Sequence, residues 1–406
     1  MSDNIKSIGI LRETKEPPDR RVPITPGQIA SLMVQYPDAR FLVQPSELRC
    51  YSDEEYKSAG VELTEDLSGC DILMGVKEVD KETFIADKRY LFFAHVGKEQ
   101  PHNRDMFREL VRERITLTDY EYLIDKSGAR VVAFGRWAGV VGAYNGLRAA
   151  GIKSGRFELK RAADCRDFQE LVSHLRSVTL PDNYRIVVTG GGRVASGAVE
   201  ILEGCGIQHA SPSEYLQNRD ATPLYCRIGP EHYTRRREGG GFDWNHFIEN
   251  PGQYESTFAP YAAASDLFIA CHYWDPASPS FFSGDDVKDP GFRISVVADI
   301  SCDIGGPIPT TLRASTIDDP FFDYNREDGT EESPFSDPSN ITVMSIDNLP
   351  GELPRDASED FGQQLIKSVI DDLIRGVESD MLAEATITRE GRLTPKFDYL
   401  EGYLKI

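Results

Sequence analysis

Apolar residues recur along the first third of the chain in short runs bounded by polar and turn residues, at 7–11, 40–43, 71–76, 89–94 and 115–118, a pattern that predicts β-strands. Between them, 26–34, 52–59 and 102–112 carry apolar residues at helical spacing. Strand alternating with helix implies a parallel sheet covered on both faces. A first α/β domain is therefore expected to end near residue 133. Residues 153–181 read as mostly helical and charged, and 185–189 then opens a second series, with strands predicted at 206–210, 264–270 and 293–298. The stretch 318–340, rich in Asp, Glu, Pro and Ser, reads as a solvated loop. After Pro354, Ser358 is expected to cap a helix whose stripe of Phe361, Leu365, Ile366, Val369, Ile370, Leu373, Ile374 and Val377 belongs to the core.

Length and charge narrow the class. A chain of 406 residues exceeds what one core usually supports, so two domains are expected. A net charge of −21 excludes nucleic acid and anionic membrane as partners, while leaving small anions that answer to local arginines. The opening residues lack a basic region leading into an apolar one, and the apolar run 131–143 is short and cut by Arg136, so a cytoplasmic setting is expected. Seven scattered cysteines without a CxxC pair, and seven histidines without ligand spacing, predict neither a disulfide framework nor a metal.

The strand 185–189 runs straight into Gly190-Gly191-Gly192-Arg193-Val194-Ala195, followed by a helical segment. Gly190, Gly192 and Ala195 fit the small-residue pattern of a dinucleotide loop: the first permits the turn, the second lets backbone approach a pyrophosphate, the third packs helix on strand. Arg193 and Val194 open the helix whose free N–H groups would face that pyrophosphate. At the end of 206–210, where an acid would bind the 2′-hydroxyl of NAD, the chain has Ala210 and Ser211, with Glu214 further on. That substitution leans toward NADP over NAD. Arg235, Arg236 and Arg237 either help hold a 2′-phosphate or form a solvated basic patch.

Ligands of open α/β sheets bind beyond the carboxyl ends of the strands. Lys77 and Glu78 follow one predicted strand, His95 follows the next, and Asp299 and Asp303 follow a third. Alone, each is an ordinary surface or core residue; together, beside a nucleotide loop, they suit acid–base chemistry. Arg12, Lys15, Arg20 and Arg21 lie just past the first strand, where a guanidinium could bind a carboxylate.

The blocks containing Gly9 to Lys15, Arg21 to Pro26, Gly75 to Glu78, Phe93 to His95, Asp119 to Glu121, Arg130 to Gly135, Trp137 to Gly139, Asp299 to Gly306 and Ser345 to Pro350 resemble the alanine dehydrogenase and saccharopine dehydrogenase superfamily. The chain looks most similar to its lysine-forming saccharopine dehydrogenases and lysine–ketoglutarate reductase domains. The resemblance implies two Rossmann-like domains with parallel sheets flanked by helices and an active site in the cleft between them. Residues 1–133 plus about 350–406 would form the substrate domain, and 134–349 the nicotinamide dinucleotide domain. It implies Lys77 and His95 as the acid–base pair, Arg21 and Arg130 on substrate carboxylates, and Glu78 and Glu121 tuning the pair. Asp299 or Asp303 would lie near the nicotinamide of NAD or NADP. The implied reaction joins lysine and 2-oxoglutarate into saccharopine, reversibly. An alanine dehydrogenase-like enzyme of the same frame and a non-catalytic cofactor-binding regulator are the alternatives. Small molecules are the expected partners; oligomeric state is left open.

Overall fold

A computed structural model describes residues 5–217 and 221–405. The chain divides into two compact units, Met1–Phe134 with Pro354–Ile406, and Gly135–Leu353.

In the first unit, β1 (Ile8–Ile10), β2 (Phe41–Val43), β3 (Glu62–Leu63), β4 (Ile72–Met74), β5 (Arg89–Phe92) and β6 (Thr116–Asp119) are all parallel, in the spatial order β6-β5-β4-β1-β2-β3. The side-chain period of two is explicit: Ile8, Ile10, Phe41, Val43, Ile72 and Met74 join one core, while Leu42, Leu73, Tyr90 and Phe92 join the other, across the sheet. Helix α1 (Pro26–Gln35) begins in a capping box between Thr25 and Gln28, with proline at its first turn. It packs with the returning C-terminal segment, in which Phe361, Leu365, Val369 and Ile370 complete the first core. Ser358 does not cap that helix. The helix begins at Pro354, and Ser358 is buried inside it, donating to the Pro354 carbonyl at 2.6 Å and accepting from the Val22 amide at 2.9 Å. Val377 is 48% exposed and lies outside the core.

The second unit has β7 (Arg185–Thr189), β8 (Gln208–His209), β9 (Leu224–Ile228), a ribbon of β10 (Thr234–Arg236) and β11 (Tyr254–Ser256), then β12 (Leu267–Ala270), β13 (Val296–Asp299), β14 (Phe322–Tyr324), β15 (Glu331–Glu332) and β16 (Ile341–Met344). Its main sheet has the order β15-β14-β16-β13-β12-β7-β9-β8. Thus the stretch 318–340 is not wholly loop: β14 pairs antiparallel with β16, and β15 with β14. Two more strands, β17 (Thr386–Arg389) and β18 (Arg392–Leu393), return to the first unit, where β17 lies antiparallel to β6.

The main element absent from the sequence reading is a 20-residue helix, Gly135–Ser154 (α2), where a loose apolar run was visible. It is buried along most of its length, so it shows no polar face and no amphipathic stripe. Glycines let it approach helix α3 (Arg193–Gly204) backbone to backbone: a Cβ on Gly139 would overlap the Val194 carbonyl, and one on Gly197 the Arg136 carbonyl. The segment 153–181, by contrast, contains the last two residues of α2 and one further α-helix, Phe168–His174, between short turns. Among the described residues, no helix is long and apolar enough to cross a membrane.

A Gly139→Ala exchange is expected to destabilise the second unit by about 1–3 kcal/mol, the usual cost of overpacking. Gly402→Ala, where nothing lies within 4 Å, should be close to neutral. Urea denaturation of both variants checks this; equal midpoints would remove the packing argument.

Candidate functional site

Chain order in the first sheet reverses between β1 and β4, and that switch point is where residues following the strands converge. Glu13 comes after β1. Its carboxylate accepts the Val76 amide at 2.6 Å and the Lys77 amide at 2.9 Å, so it clamps the backbone that carries Lys77. Burial pushes the Glu13 carboxyl up to about 8, outweighing those two hydrogen bonds.

Lys77 projects past β4 and His95 past the adjacent, parallel β5, whose register pairs Met74 with Leu91. Desolvation lowers the Lys77 amine below its ordinary value, helped by the charges of Arg21 and Lys15 and opposed by Asp19 and Glu78. His95 Nδ1 lies 2.6 Å from Glu78 Oε1, and Lys15 Nζ donates to Glu78 Oε2 at 2.8 Å. Against the burial that would raise it, these bonds draw the Glu78 carboxyl down to about 2. The His95 backbone is left-handed, at φ 52°, and its ring stacks with Phe93 at 6.1 Å between centroids. A non-glycine residue held there costs about 1–3 kcal/mol, and such strain collects at functional sites.

Asp19 and Arg21 form a buried pair, with Asp19 accepting from the Arg21 amide and Nε at 3.0 Å each and from Nη2 at 2.5 Å. The guanidinium also lies over the Phe134 ring at 4.2 Å. Despite burial, Arg21 holds the Asp19 carboxyl well below the usual range. The expected role of Arg21 on a substrate carboxylate meets a competitor here: at 2% exposure, its fork is turned to Asp19. Arg130 is more open, donating to Glu121 Oε1 at 3.2 Å, and Lys98 lies 3.5 Å from the same oxygen. Glu121 therefore sits with Arg130 and Lys98, while its amide donates to Asp119. Asp119 is fully buried, also accepts from the Ala94 amide, and is raised to about 6, mainly by desolvation.

In the second unit the switch point falls between β7 and β12. Gly190 follows β7 at φ +102°, and a Cβ there would stand 2.5 Å from the Cys271 carbonyl. Only glycine fits. Gly191 and Gly192 are exposed; a Cβ at Gly192 would meet nothing within 4 Å, and one at Gly191 only Arg227, at 3.9 Å. Gly192 caps α3 without a side-chain hydrogen bond. Arg193 opens that helix on the exposed side, Val194 faces α2, and Ala195 is buried. An open glycine surface in front of a helix N-terminus fits a pyrophosphate.

The ribose position moves. The ribose was expected at the end of 206–210, but the strand next to β7 is β9, and the two-residue β8 is the edge strand. Ser211 accordingly lies at the sheet edge, where its amide and hydroxyl donate to Glu214 at 3.0 and 2.5 Å. Arg235 pairs with Glu255, and Arg237 donates to the Tyr254 carbonyl, both on the ribbon. Arg227 on β9 was missed; its Nε donates to the Gly190 carbonyl at 2.8 Å. Asp299 ends β13 with both oxygens occupied, accepting from Ser301, from the Cys302 amide and from Thr311 at 2.6–3.1 Å. It shapes the turn. Asp303, half-buried, is the more accessible of the two. Folding also gathers Cys165, Glu170 and His174, which no linear spacing announced, but Glu170 is already held by Lys160 at 2.5 Å and the Arg166 amide at 2.7 Å.

Residues 9–141 match the model of the alanine dehydrogenase/PNT N-terminal domain. A saccharopine dehydrogenase [NAD(+), L-lysine-forming] of Neurospora crassa is 30% identical over 383 residues, covering 89% of this chain and 90% of that one. Alpha-aminoadipic semialdehyde synthase of Arabidopsis thaliana is 28% identical over 442 residues; the match takes in 97% of this chain but 41% of that protein, so the chain spans less than half its length. A solved L-alanine dehydrogenase superposes with a TM-score of 0.66 at 17% identity, covering 98% of this chain and 99% of its own, which is a likeness of fold.

An acid raised on folding binds its proton more tightly folded than unfolded, so Glu13 stabilises the fold below its unfolded pKa near 4.5 and loses that contribution as pH rises toward about 8. The melting temperature of the parent minus that of Glu13→Gln should fall between pH 5 and 8 and then level off. A difference independent of pH would contradict the burial of this acid.

Proposed function

The chain belongs to the saccharopine dehydrogenase family, and from that premise we propose that it is a nicotinamide-dependent oxidoreductase interconverting saccharopine with lysine and 2-oxoglutarate. The observation that carries this reading is the Glu78 carboxylate, next in sequence to the half-buried Lys77, which holds His95 Nδ1 at 2.6 Å and Lys15 Nζ at 2.8 Å. A primary amine can take a proton near neutral pH only where its charged form is disfavoured, and here desolvation and two neighbouring cations do that.

The bound dinucleotide, NADH or NADPH, supplies the hydride. In the reductive direction the ε-amine of lysine adds to the keto carbon of 2-oxoglutarate, water leaves, and the resulting imine carbon is reduced. His95, with Nδ1 committed to Glu78, presents its other nitrogen to the oxygen that departs as water. Lys77 gives a proton to the substrate nitrogen as reduction proceeds, and takes it back in the oxidative direction. Lys15 shares Glu78 with His95 and so keeps that carboxylate ionised. Arg130 is the proposed carboxylate partner. Arg21, engaged by Asp19, acts through its charge on Lys77. In the second unit, Gly190, Gly192 and the first turn of α3 hold the pyrophosphate, and Asp303 is the acid proposed to lie near the nicotinamide.

Two expectations follow. Oxidation of the reduced dinucleotide should require lysine together with 2-oxoglutarate, whereas pyruvate with ammonia should give little; the reverse ranking would make the chain an alanine dehydrogenase-like enzyme. Lys77→Met and His95→Gln should each lower kcat by about 10²–10⁴ while fluorescence titration shows dinucleotide binding little changed. Normal turnover in both variants would remove the acid–base assignment.

A further inference from the structure

We infer that Arg227 selects the cofactor, its guanidinium receiving the 2′-phosphate of an NADP-type dinucleotide. The inference rests on the dinucleotide reading of the glycine loop and goes beyond it in naming the residue and the preference. Topology is the first argument. In a doubly wound sheet the adenosine ribose lies past the end of the strand next to the one that carries the glycine loop, and an acid there selects NAD while a nearby arginine accommodates a 2′-phosphate. That neighbouring strand is β9, whose register sets Arg227 beside Val188 and Ile228 beside Thr189, and the Gly190 amide donates to the Ile228 carbonyl at 3.0 Å. The excursion through β8 and the helix Pro212–Gln217 lengthens the spacing from the loop well beyond the usual ~20 residues, which hides Arg227 from a linear search.

Geometry is the second argument. Arg227 alone on β9 has a partly exposed side chain, its strand neighbours being buried. Its Nε is pinned to the Gly190 carbonyl, which fixes the fork against the loop, and Nη2 stands 3.9 Å from where a Cβ of Gly191 would be. Among the described residues the hydrogen bond its side chain makes goes to a carbonyl and not to a carboxylate, in a chain where acids outnumber bases. A fixed guanidinium favours a phosphate dianion and gains nothing from a ribose hydroxyl of comparable value. The competing group is Glu231, past the end of β9, whose carboxylate would favour the 2′-hydroxyl of NAD. Glu231 instead folds back over Gly229 and lies 3.2 Å from His232 Nδ1.

Equilibrium binding tests this without turnover. NADPH and NADH are titrated by nicotinamide fluorescence, with 2′,5′-ADP and 5′-AMP as competitors, on the parent, Arg227→Gln, Arg227→Lys and Glu231→Gln. The parent should bind NADPH at least tenfold more tightly than NADH. Arg227→Gln should lose about 10- to 100-fold in NADPH and 2′,5′-ADP affinity with NADH changed far less. Arg227→Lys, which keeps the charge without the Nε bond to Gly190, should retain part of the preference. A parent that prefers NADH, a uniform loss for both nucleotides in Arg227→Gln that lysine does not relieve, or control of the preference by Glu231 overturns the inference while leaving the dinucleotide reading intact. Binding of neither nucleotide to the parent would overturn the reading itself.

Discussion

A half-buried amine at the end of β4, partly desolvated and with the charges of Arg21 and Lys15 nearby, is disfavoured in its charged form, and the chemistry proposed for the first unit depends on that. Lys77 is held in this setting by backbone. Glu13 binds the amides of Val76 and Lys77, so the strand end from which the side chain springs is fixed by two hydrogen bonds to a largely desolvated acid. Each of the two cations near Lys77 is held by its own carboxylate, Arg21 by Asp19 and Lys15 by Glu78. Glu78 then serves a second purpose in orienting His95. Two acids thus hold the cations in place while only partly offsetting their effect on the amine.

The second unit uses a different economy of space. Gly190 permits the turn, Gly139 and Gly197 let two helices meet at backbone distance, and among the described residues Arg227 alone comes within 4 Å of where a Cβ on Gly191 or Gly192 would stand. Close packing beneath the loop and openness above it are two consequences of one residue type placed at particular positions. The helix pair keeps the first turn of α3 where its N–H groups can serve an anion.

Much of this was legible in the sequence, for identifiable reasons. Strands β1, β2, β4, β5 and β6 are short apolar runs between turns, and reading them located Lys77 and His95 at strand ends. The glycine loop lies between a strand and a helix in the linear sequence as in space. What stayed hidden required topology or distant partners. Helix α2 is buried almost all round and gives no periodic signal. Glu13 looks like loop charge until it meets amides some 60 residues away. Arg21 reads as a residue for a substrate carboxylate, and nothing in the sequence announces that Asp19, two residues away, is its buried partner. Arg227 is not singled out by a sequence that points to the end of 206–210 for the ribose; the strand order places β9 between that segment and β7.

The proton transfer proposed for the first unit requires the fold to make Lys77 a weaker base than a free lysine. The most direct measurement is an NMR titration of ¹³C-methylated lysines, with the Lys77 signal assigned by its absence in Lys77→Met. Lys77 should titrate clearly below the ordinary value of about 10.4. A Lys77 that titrates at or above that value would mean the surrounding carboxylates outweigh burial and the neighbouring cations, and the proposed proton transfer would lose its base.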